Sequence, residues 1–504
     1  MGAAQTRQMA VFRADASPAV GGGHVMRCLA LAEALTGAGW SCGFAAHSGT
    51  LDTVPTLPGS GHDWLVLDGD EVDEASWLAR RWPGGCDLLA VDHYGRDSHF
   101  ERAARPWAKR ILVIDDSADR AHDCDLLLDQ TPGRKAEDYA ELVPGHCRML
   151  LGPDYALLRP QFTAGRKTAL AGREEGGPVR RILVNLGATD PDNVTGIVLE
   201  GIARSGVDAA VDVVLGAAAP HLSRVQGVTA RMRQDVSVHV AVDDMAALVI
   251  RANLAIGAAG SASLERCCLG LPTLMVVLAE NQRTIAAELE RAGAARCLGW
   301  HANLGADRIA EAIASICSDE LERREIAKRA AAICDGRGTT RVLLALLKPE
   351  AARDGTSVDL RLADMADCDT LLRWQSDRRT RRFSRDPAAP GPAEHRLWME
   401  DCLADLDRLL MVILHGGEPA GALRLDRRGR PQAFEVSIFV APEKYRLGIA
   451  VAALALARKL MPAATFHAEV LPGNEASRAL FRRAGYWQSE GHYLSEPHKC
   501  GRVP

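Results

Sequence analysis

Residues 13–35, RADASPAVGGGHVMRCLALAEAL, join a β-strand to an α-helix through three consecutive glycines. The apolar positions after the glycines recur at helical spacing and are Val25, Leu29, Ala32 and Leu35. Glycines let the backbone approach a ligand closely, and the N-terminus of the following helix offers unpaired amides and a partial positive charge. The stretch therefore predicts an α/β unit that binds an anion such as a diphosphate at Gly22 and Gly23.

A histidine directly after these glycines is the first candidate for catalysis. His24 precedes the first helical turn, where the helix dipole disfavours its protonation and an imidazole would act as a neutral base. The alternative is a histidine that only hydrogen-bonds the turn. Arg27, on the next turn, is predicted to bind the substrate.

A polar cluster also ends the strand at 87–92, where Asp92, His93 and Tyr94 follow one another. Ligands of parallel α/β sheets gather at the carboxyl ends of the strands, although aspartate and histidine are also ordinary turn and capping residues. Asp115 and Asp116, after the strand at 110–115, are predicted to be loop and cap residues without a role in the site.

Apolar runs alternate with amphipathic stretches through the first two thirds of the chain, which is typical of βα units around parallel sheets. The predicted strands of the first series are 8–15, 87–92, 110–115 and 125–130. Glycine and charge interrupt the pattern at 163–180, and a second series starts with RILVNLG at 181–187.

A second break, at 349–357, separates this α/β region from a segment with hairpin patterning that reads as α+β. The sequence therefore predicts an α/β protein with two Rossmann-like lobes, at 1–165 and 178–347, followed by an α+β domain at 358–500.

The second lobe repeats the strand-turn-helix pattern in NLAIGAAGSASLERCCLGLP, residues 253–272. Amides of Gly260 and Ser261 are predicted to hold a phosphate, and Glu265, one turn into the helix, to accept hydrogen bonds from ribose hydroxyls. Gly187, in NLGATDPDN, is a further glycine turn predicted to bind the substrate; alternatively that segment is a plain turn with Asp190 or Asp192 capping the next helix.

Asn281 and Gln282 head another helix in this lobe. Their amides offer both donors and acceptors, which suits the hydroxyl and acetamido groups of a sugar. The alternative for Asn281 is a helix cap.

Composition narrows the class of partner. Across 504 residues the formal net charge is −5, and the 13 cysteines include no CxxC pair. These values favour a reduced, cytoplasmic enzyme with a small-molecule substrate over a nucleic-acid or membrane partner. No carboxylate cluster with metal-ligand spacing is evident, so no metal is expected. The oligomeric state is not predicted.

Several motifs in order, among them DLLLDQ, LLGPDYALLRPQF, NLGATDP and the two glycine turns, resemble the UDP-sugar hydrolases of the pseudaminic acid pathway over residues 8 to 345. The resemblance implies a MurG-like GT-B fold and hydrolysis of a UDP-linked 2,4-diacetamido-2,4,6-trideoxyhexose to free sugar and UDP. It implies that His24 is catalytic, that Tyr94 lines the sugar site, and that UDP binds on the second lobe. The runner-up is a glycosyltransferase with a UDP-sugar donor, because both reactions use this fold.

The C-terminal segment FEVSIFVAPEKYRLGIAVAALALARKL, residues 434–460, resembles the GNAT acetyltransferases. The resemblance implies acetyl-CoA as co-substrate. The residues predicted to bind it are Arg446, Gly448, Ala450 and Asn474. Glu435 is the candidate base for the attacking amine, with a solvated strand carboxylate as the alternative.

Two positions depart from the GNAT pattern: Tyr445 stands where Gln or Arg is usual, and Phe481 where Tyr often protonates the thiolate. The fusion suggests acetylation of the 4-amino group of the UDP-sugar just before hydrolysis. The alternative is a GNAT domain that only binds or dimerises.

Overall fold

The computed structural model describes residues 7–18, 20–67, 73–489 and 492–497. Residue 1 and residue 500, the predicted outer limits of the first and last domains, lie outside these ranges. The chain divides into two compact units, and the boundary between them falls at Thr339 and Thr340.

The first lobe of the first unit is built on a seven-stranded sheet. Its strands are β1 Met9–Ala14, β2 Ser41–Ala46, β3 Asp63–Val66, β4 Leu88–Asp92, β5 Ile111–Ile114, β6 Leu126–Asp129 and β7 Arg148–Leu151. Its helices are α1 Gly23–Gly37, α2 Gly49–Thr53, α3 Glu74–Arg81 and α4 Ser98–Ala104. The strand order is β3-β2-β1-β4-β5-β6-β7, and every pairing is parallel.

Successive strands are added on one side of β1 as far as β3 and then on its other side from β4 onward, so the strand order reverses between β1 and β4. Such a switch point leaves a crevice beyond the carboxyl ends of the two strands. In the β1–β4 register Ala14 is opposite Asp92, so the glycine turn and the Asp92–Tyr94 cluster open into the same crevice.

α5, Pro160–Glu175, follows the first lobe and replaces most of the linker predicted at 163–180, so that prediction is wrong. Arg159 is extended and Pro160 sits in the first turn, where a proline favours a helix start. Phe162 and Ala169, seven residues apart on one helix face, are buried. The charged residues between them hid this narrow apolar stripe from the sequence pattern.

The second lobe has a six-stranded parallel sheet. Its strands are β8 Arg181–Asn185, β9 Ala210–Leu215, β10 Val236–Val240, β11 Leu254–Ala258, β12 Thr273–Val277 and β13 Arg296–Trp300, in the order β10-β9-β8-β11-β12-β13. Its helices are α6 Val194–Arg204, α7 Leu222–Thr229, α8 Met245–Arg251, α9 Ala262–Cys268, α10 Gln282–Arg291, α11 Ala306–Ser318 and α12 Glu320–Ile333. The next helix, α13 Gly338–Leu346, begins in the first unit and belongs to the second unit from Thr340 onward. Apolar clusters cover both sheet faces, which explains the nearly continuous apolar strands.

The second unit is a mixed sheet of eight strands. They are β14 Glu350–Ala351, β15 Ser357–Leu362, β16 Arg408–His415, β17 Glu418–Arg427, β18 Ala433–Val440, β19 Thr465–Glu469, β20 Trp487–Ser489 and β21 His492–Ser495, in the order β14-β15-β16-β17-β18-β19-β21-β20. Its helices are α14 Cys368–Ser376, α15 Arg378–Arg381, α16 Pro392–Ala404, α17 Ile449–Leu460 and α18 Glu475–Arg483.

The second predicted linker, 349–357, is wrong in part. Glu350 and Ala351 form β14, which pairs with the start of β15, and Leu344 at the end of α13 packs into the core of the second unit. Too few residues are involved for their pairing to show as periodicity. The two Rossmann-like lobes and the α+β domain are confirmed.

Within the described part of the chain, no helix combines the length and the apolar character needed to cross a membrane.

Two glycine substitutions test the packing of α13 and the assignment of α5, the helix that the sequence pattern did not predict. A Cβ on Gly338 would meet the backbone N and O of Ala156, whereas a Cβ on Gly172 in α5 would meet nothing within 4 Å. We expect Gly338→Ala to destabilise the first unit by about 1–3 kcal/mol, and the matched Gly172→Ala to stabilise it by about 0.5–1 kcal/mol. Urea unfolding followed by circular dichroism measures both. A neutral Gly172→Ala would contradict the assignment of α5.

Candidate functional site

A buried carboxylate lies at the switch point of the first sheet. Asp92 ends β4, is 1% exposed, and accepts a hydrogen bond of 2.5 Å on Oδ1 from His24 Nδ1. His24 lies in the first turn of α1, where the glycine turn delivers it to the carboxyl ends of β1 and β4. The sequence predicted His24 as a site residue, and the structure pairs it with an acid that the sequence had noted only as part of a cluster.

The partners of Asp92 decide its charge. Burial raises the pKa of Asp92, but the charges of Arg27 and His24 and their hydrogen bonds outweigh burial and hold the pKa below its usual range. Asp92 is therefore ionised and accepts the Nδ1 proton of His24. In the neutral imidazole this contact places the proton on Nδ1 and leaves the lone pair on Nε2, which is the tautomer that a general base requires.

Arg27 joins this pair from the next turn of α1. Its Nε donates to Asp92 Oδ2 at 2.6 Å and its Nη2 to Oδ1 at 2.7 Å, a two-point contact that fixes the carboxylate plane. Its third donor, Nη1, lies 3.2 Å from Asp116 Oδ2. Arg27 was predicted to bind the substrate; the described residues instead show it engaged by two acids, and a substrate contact stays a prediction.

Tyr94 lies on the other side of His24. The two rings meet edge to face with centroids 4.7 Å apart, and the Tyr94 hydroxyl donates to Asp116 Oδ1 at 2.9 Å. Burial and the neighbouring Asp116 charge raise the pKa of Tyr94, so its hydroxyl keeps the proton that it donates. Tyr94 is thus held against His24.

Residues of the second lobe reach this cluster. Asn281 Nδ2 donates to the Tyr94 hydroxyl at 2.8 Å, and a Cβ built on Gly23 would lie 3.0 Å from Ser261 Oγ. Within the first lobe, a Cβ built on Gly22 would lie 3.0 Å from Val54 Cγ2. The two glycine turns therefore face each other closely enough that a side chain at Gly23 would crowd the second-lobe turn.

The second-lobe turn has the donors that a phosphate needs. Among the described residues, no carbonyl accepts from the amides of Gly260 or Ser261 at the start of α9. Gln282 stands beside this turn, because its Oε1 accepts from the Leu278 amide and its Nε2 lies 3.5 Å from a Cβ built on Gly260. The predicted phosphate turn and sugar-binding amides are thus adjacent.

Glu265 and Gly187 complete the predicted second-lobe set. Burial raises the pKa of Glu265, with Arg159 and Arg266 partly opposing it, and no described residue hydrogen-bonds its carboxylate. Gly187 follows β8 with φ +97° and nothing within 4 Å of a built Cβ. In the same loop Asp190 accepts from the amides of Val194 and Thr195, so its capping role is borne out.

Asp92 and Asp116 are the residues that sequence reasoning undervalued. Both follow or end strands next to the switch point, β4 and β5, and this position was the available signal. Asp116 lies in the loop after β5, as predicted, but its two oxygens accept from Tyr94 and Arg27, contacts that the sequence did not indicate. Only the packing of α1 against the two strands brings these partners together.

In the second unit, β18 and β19 pair in parallel only from Ala433 to Glu435 and from Thr465 to His467. Beyond Glu435, β18 continues to Val440 along β17 alone, which leaves one strand edge open among the described residues. Gly448, with φ +83°, ends the following loop and caps α17. Its carbonyl accepts from the amides of Val451 and Ala452, whereas no carbonyl of the described residues accepts from the amides of Ile449 or Ala450.

The other predicted residues of this unit have partners. Arg446 adopts φ +68° in the loop before α17. Ala450 is the second residue of α17. Asn474 Oδ1 accepts from the Ser477 amide and caps α18. Glu435 contacts Arg385 Nη2 at 2.6 Å and Arg428 Nε at 3.4 Å, so an arginine would have to move before this carboxylate took a proton from an amine. Its role as base stays a prediction.

Comparison with known proteins agrees with this division. Residues 218–336 match the glycosyltransferase family 28 C-terminal domain, and residues 358–486 match the acetyltransferase (GNAT) domain. The chain is 25% identical over 284 residues to UDP-2,4-diacetamido-2,4,6-trideoxy-beta-L-altropyranose hydrolase of Campylobacter jejuni, covering 56% of this chain and 96% of the relative.

Two further matches have other names. Spore coat polysaccharide biosynthesis protein SpsG of Bacillus subtilis is 27% identical over 340 residues, covering 65% of this chain and 95% of the relative. The crystal structure of MurG from Acinetobacter baumannii superposes with a TM-score of 0.48 at 16% identity, covering 67% of this chain and 98% of MurG.

The fold, the site and the family matches define an enzyme that joins a sugar-nucleotide-processing body to a GNAT acetyltransferase domain. More particularly, the chain is a homologue of the UDP-2,4-diacetamido-2,4,6-trideoxy-beta-L-altropyranose hydrolase. The resemblance inferred from the motifs is thereby confirmed.

The described residues contain no group of three or more His, Cys, Asp or Glu side chains arranged to hold a metal ion.

Asp92 makes stability depend on pH in a defined direction. A carboxyl whose folded pKa is depressed stabilises the protein above its unfolded pKa of about 3.9, and this contribution is lost as pH falls further. We expect Asp92→Asn to destabilise the first unit by about 3–5 kcal/mol at pH 7, because Arg27 loses its buried counter-charge. The difference in the free energy of unfolding between Asp92→Asn and the wild type should become smaller below about pH 4.

Urea unfolding at pH 7, 4 and 3 measures this difference in the free energy of unfolding. Asp307→Asn is the control, since the Asp307 side chain is 82% exposed. An Asp92→Asn penalty that grows as the solution becomes more acidic would overturn the assignment of Asp92 as a buried anion.

Proposed function

We propose that the first unit hydrolyses a UDP-linked 2,4-diacetamido-2,4,6-trideoxyhexose to the free sugar and UDP, as the name of its relative describes. The observation that carries the proposal is the His24–Asp92 pair at the switch point, directly opposite the second-lobe turn at Gly260 and Ser261. A base and a diphosphate cradle on facing sides of one cleft suit attack at the anomeric carbon between them.

In this reaction His24 Nε2 accepts a proton from water while the water oxygen bonds to the anomeric carbon. The bond from that carbon to the phosphate oxygen breaks, and its electron pair leaves with UDP. Asp92 holds the imidazole tautomer and stabilises the imidazolium that forms. Amides of Gly260 and Ser261 stabilise the charge gained by the diphosphate. Attack from the face opposite UDP inverts the anomeric configuration.

Second-lobe residues support the sugar and nucleotide assignments. Asn281 reaches the Tyr94 hydroxyl, so the predicted acetamido-binding amide and the predicted sugar-lining ring stand together. The carboxylate of Glu265, without a hydrogen bond from the described residues, is available to ribose hydroxyls.

We further propose that the second unit transfers an acetyl group from acetyl-CoA to the 4-amino group of the UDP-sugar precursor. The open edge of β18 suits an extended arm, and the first turn of α17 after Gly448 suits a pyrophosphate. Acetyl-CoA supplies the acyl thioester. Phe481 has no hydroxyl, and its buried ring meets Tyr486 edge to face and stacks on Tyr493. The CoA thiolate, whose thiol has a pKa of about 8.5, therefore leaves without a proton from this position.

The hydrolase proposal is tested by UDP release from UDP-2,4-diacetamido-2,4,6-trideoxyhexose at saturating substrate with EDTA and no acceptor. We expect His24→Ala to lower kcat by about 10²–10⁴-fold, because the base is lost. His146→Ala is the control, since the His146 side chain is 63% exposed. Release of UDP only after an acceptor is added would favour a glycosyltransferase instead.

The acetyltransferase proposal is tested with Ala450→Glu and Ala450→Gln, which add side chains of equal size to the first turn of α17. The glutamate adds a negative charge where we expect a pyrophosphate, so its Kd for CoA should be at least about tenfold weaker than that of the glutamine variant. Titration calorimetry measures binding, and thiol release measures turnover. Equal Kd values would place CoA elsewhere, and unchanged UDP release would show that the two activities are separate.

A further inference from the structure

We propose that Asp116 is a positioning residue that ties the base His24 to the second lobe. This inference rests on the proposed hydrolysis and extends it. A continuous run of hydrogen bonds leads from Asn281 on the second lobe through Tyr94, Asp116, Arg27 and Asp92 to His24. Asp116 and Arg27 are the two members of this run that the proposed chemistry has not used.

Each oxygen of Asp116 has one task. Oδ1 accepts from the Tyr94 hydroxyl, whose own oxygen accepts from Asn281 Nδ2 of the second lobe. Oδ2 accepts from Nη1 of Arg27. Asp116 therefore connects Tyr94, which contacts the second lobe, with Arg27, which orients Asp92.

Burial makes this connection consequential. Arg27 is 6% exposed, and Asp92 and Asp116 together receive its Nε, Nη1 and Nη2 donors. Without Asp116, Nη1 would be left unpaired in a buried place, and the guanidinium would turn to find another acceptor. That rotation would disturb both of its bonds to Asp92, and through Asp92 the imidazole of His24.

The same geometry links the base to the nucleotide site. Asn281 and Gln282 are consecutive at the start of α10, and Gln282 borders Gly260 of the phosphate turn. The run is complete when Asn281 reaches Tyr94, as it does in this structure, and His24 is then held in one orientation. The orientation of the base thus depends on contact between the two lobes proposed to bind the UDP-sugar.

Asp116→Asn removes the charge but keeps the shape of the side chain. We expect kcat for UDP release to fall about 10- to 100-fold, since small misplacements of a catalytic group have effects of this size. The KM for UDP-2,4-diacetamido-2,4,6-trideoxyhexose and the Kd for UDP should change less than about threefold, because Asp116 touches neither. Asp119→Asn, with a side chain 65% exposed, is the matched control.

A mutant cycle with Asn281→Ala separates positioning from general destabilisation. If both residues act through the same run, the double variant should be about as slow as Asp116→Asn alone; independent roles would multiply the two losses. Tyr94→Phe, which removes the hydroxyl between them but keeps the ring, should behave like Asp116→Asn and answers the same question if that variant does not fold.

The outcomes distinguish the two proposals. Wild-type protein that releases no UDP without an acceptor would overturn the hydrolase. Wild-type release together with an Asp116→Asn kcat within twofold of wild type, or with losses that multiply in the cycle, would overturn the positioning role of Asp116 and leave the hydrolase standing.

Discussion

The rest of the first unit depends on one buried carboxylate. Asp92 would be expensive to bury alone, and Arg27 and His24, both delivered by the first turns of α1, satisfy it. This requirement explains why the glycine turn, the start of α1 and the end of β4 must meet at the switch point. The same contacts set the histidine tautomer, so the interaction that makes burial tolerable also prepares the base.

The proposed hydrolysis uses both lobes. In it the first lobe supplies the base, and the second supplies the amides of Gly260 and Ser261, from which no carbonyl of the described residues accepts. Small residues at both turns let the lobes approach, since a side chain at Gly23 would crowd Ser261. Asn281 adds a direct hydrogen bond between the lobes at Tyr94. The cleft is therefore built from backbone donors as much as from side chains.

The GNAT domain repeats the strand-turn-helix arrangement of the two lobes in a different fold. A strand, a loop with Gly448 in the left-handed region and a helix N-terminus again follow one another, and the proposed CoA site rests on this arrangement. Its departures from the usual pattern are consistent with its packing: Phe481 lies in an aromatic cluster with Tyr486 and Tyr493. Acetyl transfer on this domain therefore has to manage without a hydroxyl at position 481.

The sequence by itself determined the α/β and α+β classes, the strand-turn-helix units and the residues that those turns present. These follow from local periodicity and from what glycines permit, as for His24, Gly260 and Ser261. The helix α5 was missed because charged residues outnumber its few buried positions, such as Phe162 and Ala169. The roles of Asp92 and Asp116 were decided only by the tertiary structure. Asp116 is 89 residues from Arg27 in the chain, and no local pattern reports a hydrogen bond that exists only when two strands and a helix pack together.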